Sequence, residues 1–294
     1  MSLDISCTTF VMKALYDVSA PAKLNLFLHI TGRRADGYHL LQSVFMLIDW
    51  CDRLHFEARA GGQISREDLS IPLPPNDLIV RAAKALQAAT GCEQGAHISI
   101  EKSIPAEAGM GGGSSDAAAT LLALNRLWQL KLPLAKLLQI GLQLGADVPF
   151  FLNGRNAWVE GVGEKITPID VPPARFLVAK PPAGMETARI FCSAELKRDT
   201  ETAILAGFAE NPFNFGTNDL EPVAQSLCCG VNDGLNWLEG NGLQGRMTGS
   251  GSAVFAHLDS EAGYKLTQEL TEPPTGFTVR ACKNLQESPL NGWA

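Results

Sequence analysis

The chain has few charged residues, few aromatic residues and no long apolar run, and each shortage excludes a class of protein. Charged residues make up 19% and aromatic residues 7% of its 294 residues, whereas hydrophobic residues make up 46%. This composition buries a core, which excludes intrinsic disorder. No apolar run approaches the roughly 20 residues of a membrane-spanning helix. The net charge of −7 argues against a nucleic-acid-binding protein, which usually has a basic face.

The cysteine pattern offers no cross-linking framework. The seven cysteines are scattered, their number is odd, and no Cys-x-x-Cys pair occurs. The pattern argues against disulfides and a zinc site, and it favours a reducing, cytoplasmic location. We expect the thiols to be buried as small hydrophobic groups. Residues 1–11 lack the basic and apolar regions of a signal peptide, so we predict a loose N-terminal extension.

Strands and helices are mixed along the chain without regular βαβ alternation, which favours an α+β fold. A proline-rich stretch near residues 166–173 divides the chain into two predicted domains, 12–165 and 166–294. Alternation predicts a strand over residues 23–30, with Lys23 and Asn25 side by side on its polar face. Helices are predicted over residues 116–129, 134–144, 217–228 and 261–271.

The strongest chemical signal is a glycine cluster directly before a predicted helix. Four glycines occur within residues 109–113, and Ser114 and Ser115 follow. Glycine clusters are costly in backbone entropy and are accepted where a ligand approaches the main chain closely. The unpaired amides and the dipole of a helix N-terminus bind anions, so we predict a phosphate site. No Gly-Lys-Ser/Thr follows, which excludes a Walker A loop, and a dinucleotide-binding fold would need a strand after the helix.

Other candidate residues are less specific when each is taken alone. Asp147 lies in an apolar setting, where a carboxylate is expensive unless it is paired or used, although a loop Asp often caps a backbone amide. Taken alone, Lys23 is most simply interpreted as a solvated surface lysine. Tyr38 and His39 follow an Asp-Gly turn and could hold a ligand ring or form a half-buried pair. The glycines of residues 248–251 (TGSG) indicate a tight turn before a strand.

Taken together, these segments resemble the GHMP kinase superfamily over nearly the whole chain from Ala20 onward. The motifs are PAKLN (residues 21–25), the phosphate loop PAEAGMGGGSS (105–115), LGADVPFFL (144–152), EGVGE (160–164) and TGSG (248–251). The resemblance implies a two-domain fold with the active site in a cleft between the domains. The stretches 21–45 and 109–118 are similar to those of members that act on a cytidine-diphosphate-linked methylerythritol in non-mevalonate isoprenoid synthesis.

The resemblance also implies roles for individual residues. It implies catalytic roles for Asp147, as the base, and for Lys23, paired with it. It implies ATP contacts at Lys102, Pro105, Gly109, Met110, Gly111, Gly112, Gly113, Ser114 and Ser115, with Mg²⁺ held through Ser115. It implies substrate contacts at Asn25, Tyr38, His39, Asp147, Phe191, Gly249 and Gly251. It implies no obligate protein partner.

Three positions depart from the family pattern, and other functions remain open at this point. Glu107 replaces a common Gly, so we expect its side chain to point away from the phosphates. Met110 replaces Leu, and Asp77 replaces an Asn near the adenine. The alternatives are a kinase of the same superfamily for homoserine, mevalonate or a sugar, a non-catalytic nucleotide-binding protein, or a Rossmann-type oxidoreductase. The presence of both Lys23 and Asp147 argues against the non-catalytic protein.

Overall fold

A computed structural model describes residues 12–259 and 270–294. The predicted extension over residues 1–11 lies outside these ranges, as does the predicted helix over 261–271 apart from its last two residues. Among the residues that are described, every helix is too short or too polar to span a bilayer.

Two sheets form the framework. The first contains β1 (Ala14–Arg33), β2 (His39–Arg59), β3 (Ile64–Asp68), β4 (Gly95–Glu101), β5 (Ala157–Gly161) and β6 (Lys165–Pro168). Its order is β3-β4-β2-β5-β6, β1 pairs with β2, and only the β3–β4 pair is parallel among the described strands. The second sheet is antiparallel in the order β10-β7-β9-β8. Its strands are β7 (Arg175–Lys180), β8 (Gly245–Met247), β9 (Val254–Leu258) and β10 (Thr278–Lys283).

The described helices have 5 to 16 residues, and the first of them is the one whose first turn is capped by a side chain. They are α1 (Leu78–Thr90), α2 (Gly112–Leu127), α3 (Leu134–Leu144), α4 (Val148–Asn153), α5 (Thr187–Phe191), α6 (Leu205–Glu210), α7 (Glu221–Leu227) and α8 (Cys229–Gly240). Asp77 begins α1 by accepting a hydrogen bond from the Val80 amide at 3.2 Å, and Gly91 ends it in the left-handed conformation. Because α2 is followed by α3 rather than by a strand, the glycine cluster at its start does not belong to a βαβ unit of the dinucleotide-binding type.

Three apolar clusters stack the molecule into layers. The first cluster joins one face of the first sheet to α1, α2, α3 and α4. The second lies between the two sheets and contains Phe27, Trp50, Trp158, Phe176 and Phe255. The third covers the outer face of the second sheet with α5, α7 and α8. Helices α5 and α7 therefore lie on the second sheet, whereas the glycine cluster lies at the start of α2 on the first.

The middle of β1, residues 20–30, is buried on both faces, so its polar face is not solvated. Lys23 has only 3% of its surface exposed, and Asn25 and His29 are also buried. Ala22, Leu24 and Leu26 pack between the two sheets, whereas Lys23 lies on the opposite face, against the glycine cluster and the Phe45 ring. The structure thus excludes a solvated surface lysine at position 23.

Two predicted helices have different limits in the structure. Helix α2 begins at Gly112 rather than at residue 116, so the last glycines of the cluster form its first turn. The region predicted as one helix over 217–228 contains α7 alone, and α8 follows it unpredicted. Gly234 in α8 lowers helix propensity, but a Cβ there would lie 2.8 Å from the Val254 side chain. Close packing on β9 therefore requires this glycine.

The end of the chain returns to the first sheet. The Leu285 amide donates to the Leu47 carbonyl at 2.8 Å, and Leu290 and Trp293 join the first apolar cluster. Buried Asn156 accepts from the Leu47 amide and donates to the Leu285 carbonyl, each at 2.9 Å. The division of the chain at residues 165 and 166 stays a prediction.

The cysteines follow the expectation only in part. The six in the described residues are all free thiols. Cys228 and Cys282 are buried, and burial raises the pKa of the Cys282 thiol to about 12. Cys192 and Cys229 are exposed, which corrects the expectation that all thiols are buried. Cys192 follows the last residue of α5, and Cys229 is the first residue of α8, so both lie at helix ends.

Candidate active site

Two adjoining cavities bring together the residues that the sequence analysis selected. The larger has a volume of about 900 Å³ and the smaller about 630 Å³. Both volumes lie in the range of small-molecule sites. Leu41, Ala188 and Phe191 line both cavities, so the two adjoin along β2 and α5.

The start of helix α2 forms one wall of the larger cavity. Gly111 precedes the helix with φ 72°, and no side chain caps the first turn. The residues from Gly111 to Ser114 line the cavity. The amides of a first helical turn have no partners within the helix, and the helix dipole adds positive potential there. This wall is therefore suited to an anion such as a phosphate group.

The glycine cluster packs against the TGSG turn at residues 248–251. A Cβ on Gly109 would overlap the Thr248 carbonyl oxygen, and one on Gly249 would lie 2.8 Å from the Gly109 carbonyl oxygen. The Ala253 amide donates to the Ala108 carbonyl at 3.2 Å. Gly251 lines the larger cavity beside Gly249, and both have positive φ angles. The predicted loop and the predicted turn thus form one joint surface.

Lys23 lies beneath this joint surface. Its ammonium donates to the Gly109 carbonyl at 2.6 Å and to the Asn25 side-chain oxygen. The Asn25 amide nitrogen in turn donates to the Ser43 hydroxyl at 2.8 Å, and the Phe45 ring lies 5.1 Å from the ammonium. Burial lowers the pKa of Lys23, and the negative charge of Asp147 opposes that shift. The site therefore holds a cation with few water contacts, whose charge acts strongly on neighbouring groups.

Asp147 lies in the same cavity, directly before α4. Its carboxylate caps no backbone amide of that helix, so the structure excludes the simple capping role. Within the described part of the chain it forms no ion pair, so the expected direct pair with Lys23 is not formed. The Gly109 and Asn25 oxygens take the ammonium instead, and the two charges interact across the cavity. The carboxylate is thus free to accept a proton from a bound molecule.

Lys102 stabilises the start of helix α2, next to the glycine cluster, through two ion pairs. Its ammonium is shared by the Asp116 carboxylate, at 2.7 Å, and the Asp52 carboxylate. Asp52 also accepts from the Ser103 and Ile104 amides at 2.6 and 2.8 Å. Lys102 lines the larger cavity, but its charge is already paired with two buried carboxylates. Its most direct action is to hold the start of α2 against β2 and the chain before the loop.

The smaller cavity contains the aromatic candidates. The His39 and Phe191 rings lie 5.0 Å apart at 35°, and both line this cavity with Tyr38. Tyr38 is 65% exposed, and its ring contacts no other ring among the described residues. Burial lowers the pKa of His39, and the charges of Arg198 and Arg33 lower it further. The ring is therefore neutral at pH 7 and combines a flat face with a polar edge.

The departures from the family pattern have structural explanations. The Asp77 carboxylate caps α1 and pairs with Arg66 at 2.6 Å, which leaves Asn76 as the neighbouring amide in the cavity wall. The Glu107 side chain packs over Gly184 in the segment after β7, where a Cβ would overlap its carboxylate. Pro105 and Met110 line the larger cavity, and the Met110 carbonyl accepts from the Lys23 amide at 3.0 Å.

Ser114 and Ser115 occupy different environments. Ser114 lines the larger cavity. The Ser115 hydroxyl is buried without a hydrogen-bond partner among the described atoms. The described residues contain no cluster of three His, Cys, Asp or Glu side chains that would hold a metal by itself. A metal carried largely by phosphate oxygens and water, as Mg²⁺ is, fits this sparse donor set. The Ser114 hydroxyl is the one in the cavity wall, whereas the unpartnered Ser115 is not part of that wall.

Sequence reasoning missed the residues that support the site from a distance. Asn218 donates from its amide nitrogen to the Met247 and Gly249 carbonyls at 2.9 and 2.8 Å, which holds the TGSG turn. The Thr248 hydroxyl accepts a hydrogen bond from the backbone amide of Asn25 at 2.9 Å. Asp52 and Arg198 were also missed. Only Thr248 carried a signal, because it belongs to the TGSG motif.

Comparisons with known proteins agree with this geometry. Residues 77–155 match the family model described as the GHMP kinases N terminal domain. The 4-diphosphocytidyl-2-C-methyl-D-erythritol kinase of Albidiferax ferrireducens is 66% identical over 283 residues, which cover 96% of this chain and 96% of that protein.

Solved structures show the same relationship. A crystal structure of 4-(cytidine 5′-diphospho)-2C-methyl-D-erythritol kinase matches with a TM-score of 0.76 and 32% identity, covering 90% of this chain and 98% of that one. The homoserine kinase of Cytophaga hutchinsonii shares the fold, with a TM-score of 0.70 and 17% identity over 94% of this chain and 96% of its own. The predicted α+β, GHMP-kinase-like fold is confirmed.

Replacing Gly249 with Ala tests the contact between loop and turn. The new methyl group would meet the Gly109 carbonyl at 2.8 Å and the Lys23 ammonium at 3.1 Å. We expect G249A to lower the free energy of unfolding, measured in urea, by about 2 kcal/mol more than a matched control. We also expect it to weaken ATP binding in calorimetry.

The control is Gly242→Ala, because Gly242 has a similar positive φ of 72° but no atom within 4 Å of an added Cβ. It carries the backbone strain without the collision, so about 1–2 kcal/mol is expected there. Equal losses in the two variants, with equal ATP affinity, would show that the close approach at Gly249 is unimportant.

Proposed function

The chain belongs to the 4-diphosphocytidyl-2-C-methyl-D-erythritol kinase family, a branch of the GHMP kinases, and from this premise we propose its reaction. It is an ATP-dependent small-molecule kinase. It transfers the γ-phosphate of ATP to the 2-hydroxyl of 4-diphosphocytidyl-2-C-methyl-D-erythritol, a step of isoprenoid precursor synthesis by the non-mevalonate pathway.

One observation supports this proposal most directly, namely that the two cavities adjoin and share lining residues. The larger offers an anion-binding helix start together with a buried cation and a free carboxylate, from α2, Lys23 and Asp147. The smaller offers a flat aromatic wall with a polar edge, from Phe191 and His39. A substrate with a nucleobase at one end and a hydroxyl at the other matches this arrangement.

In the proposed mechanism the triphosphate lies against the first turn of α2 and the glycine cluster. Phosphoryl transfer requires mainly positioning and charge stabilisation, which fixed backbone amides provide. The Asp147 carboxylate accepts the proton of the attacking hydroxyl. The Lys23 ammonium, held by Gly109 and Asn25, stabilises negative charge as the oxygen attacks phosphorus.

Mg²⁺ would neutralise phosphate charge in this site. Ser114 or Ser115 would supply the protein oxygen, because Ser114 lines the cavity and the buried Ser115 hydroxyl has no other partner among the described atoms. Lys102 would act beside it by fixing the start of α2 and by reducing the negative potential of Asp52 and Asp116 near the phosphates. Few protein ligands are needed, since Mg²⁺ usually keeps several waters.

The base would be selected in the smaller cavity. Phe191 and Tyr38 supply aromatic faces, and His39 supplies a hydrogen-bonding edge. Gly249 and Gly251 would contact the part of the substrate next to the transferred phosphate, together with Asn25. We further propose that the enzyme acts in the cytoplasm, with domains at residues 12–165 and 166–294, and without an obligate protein partner.

The proposal is tested by ATP turnover with Mg²⁺ on 4-diphosphocytidyl-2-C-methyl-D-erythritol, homoserine and mevalonate in parallel assays. We expect turnover confined to the cytidyl substrate. Turnover of homoserine or mevalonate instead would assign a different member of the superfamily. ATP binding without turnover of any of the three would indicate an inactive or differently specific member of the superfamily.

Replacing Asp147 with Asn tests the base. The amide keeps the size of the carboxylate but cannot accept the proton, so kcat should fall at least about 100-fold. ATP affinity, measured by calorimetry, should stay within about three-fold, because Asp147 is not part of the α2 wall. The exposed Asp233 on α8 gives the matched control D233N, for which an unchanged kcat is expected. A near-normal kcat for D147N would remove Asp147 from the mechanism.

A further inference from the structure

Arg198 joins the two walls of the smaller cavity. Its guanidinium donates to the Phe191 carbonyl at 3.3 Å and to the Ser193 carbonyl at 2.6 Å, just after helix α5. It also donates to the Leu196 carbonyl at 2.8 Å. Its Nε donates to Nε2 of His39, at the start of β2, at 3.0 Å. This one side chain therefore fixes the His39 ring relative to the segment that carries Phe191.

The contact with Arg198 determines where His39 carries its proton. A guanidinium only donates hydrogen bonds, and it keeps its charge at every relevant pH. Nε2 of His39 must therefore be the acceptor, which places the ring hydrogen on Nδ1. A neutral imidazole has one donor and one acceptor nitrogen, and the partner of one nitrogen fixes the role of the other. Nδ1 of His39 is thus a fixed donor.

We propose that Arg198 is the positioning residue that gives the smaller cavity its preference for cytosine over uracil, by holding His39 as an Nδ1–H donor. This inference rests on the proposed function. The Watson–Crick edge of cytosine presents acceptors at O2 and N3, whereas uracil has an acceptor at O2 but an N–H at N3. A fixed donor distinguishes the two bases only at N3, where it would meet a hydrogen on uracil.

The discrimination follows from the cost of unmatched polar groups. A site built around one hydrogen-bonding pattern rejects the base that leaves its polar group unpaired. If His39 could exchange its donor and acceptor nitrogens freely, Nδ1 could accept from uracil N3–H, and the two bases would be bound more equally. The Arg198 contact removes that freedom.

The first test reads the proton position directly in the protein without substrate. Two-bond ¹⁵N–¹H correlation spectra of protein with labelled histidine distinguish protonated from unprotonated ring nitrogens, and H39Q identifies the His39 signals among the five histidines. We expect the wild-type protein to carry the hydrogen on Nδ1. R198M removes the donor and should move the hydrogen mainly to Nε2, whereas R198K retains a donor and should restore Nδ1–H.

The second test measures kcat/KM for the cytidyl substrate and for its uridyl analogue. We expect the wild-type preference for cytidine to fall roughly ten-fold or more in R198M and to recover in part in R198K. The loss should arise in KM rather than in kcat, because Arg198 lies outside the cavity that contains Lys23 and Asp147. A purely structural role would weaken both substrates alike and leave the ratio unchanged.

The matched control is Arg53→Met on β2, whose side chain is 62% exposed and lines neither cavity. It should change neither the His39 spectrum nor the substrate ratio. A wild-type His39 with its hydrogen on Nε2, or an R198M ratio equal to wild type, would overturn the proposal. If the wild-type protein turned over neither substrate, the proposed function would fail, while the spectra would still report whether Arg198 sets the proton position.

Discussion

The arrangement of the site depends on how one buried ammonium group, that of Lys23, is compensated. An ion removed from water costs several kcal/mol unless nearby groups replace its hydration. The Asn25 oxygen comes from the same strand, but the Gly109 carbonyl belongs to the glycine cluster, 86 positions along the chain. Gly249, in the TGSG turn, packs against both of these oxygens. The ammonium therefore gains its hydrogen bonds only when β1 and the glycine cluster have come together, with the TGSG turn packed against both. The same buried charge is the one that we propose acts in phosphoryl transfer.

Much of the fold could be predicted from periodicity, because β1 alternates and because Asp77 and Gly91 mark the ends of a helix. What the pattern could not show is which faces are covered. Lys23, on the polar side of β1, is buried because the glycine cluster and the TGSG turn pack over it, and those contacts are between residues far apart in sequence. Helix α8 was missed for a related reason, since its packing on β9 selects a glycine that local propensity counts against the helix.

The candidate site, too, could be predicted only in part from the sequence. The glycine cluster and its serines were found because they are contiguous, and a contiguous motif carries its own chemical logic. The family resemblance supplied Lys23 and Asp147, but neither spacing nor resemblance showed that the ammonium would be held by the Gly109 carbonyl rather than by the carboxylate. Arg198 was not predicted at all, because its role depends on a contact with His39, 159 positions away in the sequence. Contacts of this kind form only in the folded chain and produce no local sequence pattern.

The central claim is that the Lys23 ammonium acts as a buried charge, and its titration tests this most directly. The pKa of Lys23 would be followed by ¹³C NMR of lysine-labelled protein, alongside kcat as a function of pH. Burial lowers that pKa below the ordinary lysine value of about 10.4. The charged form is then lost as the pH rises through the lowered value, so we expect kcat to fall in the same pH range. An ordinary lysine pKa, or a kcat that stays level while Lys23 titrates, would contradict the claim.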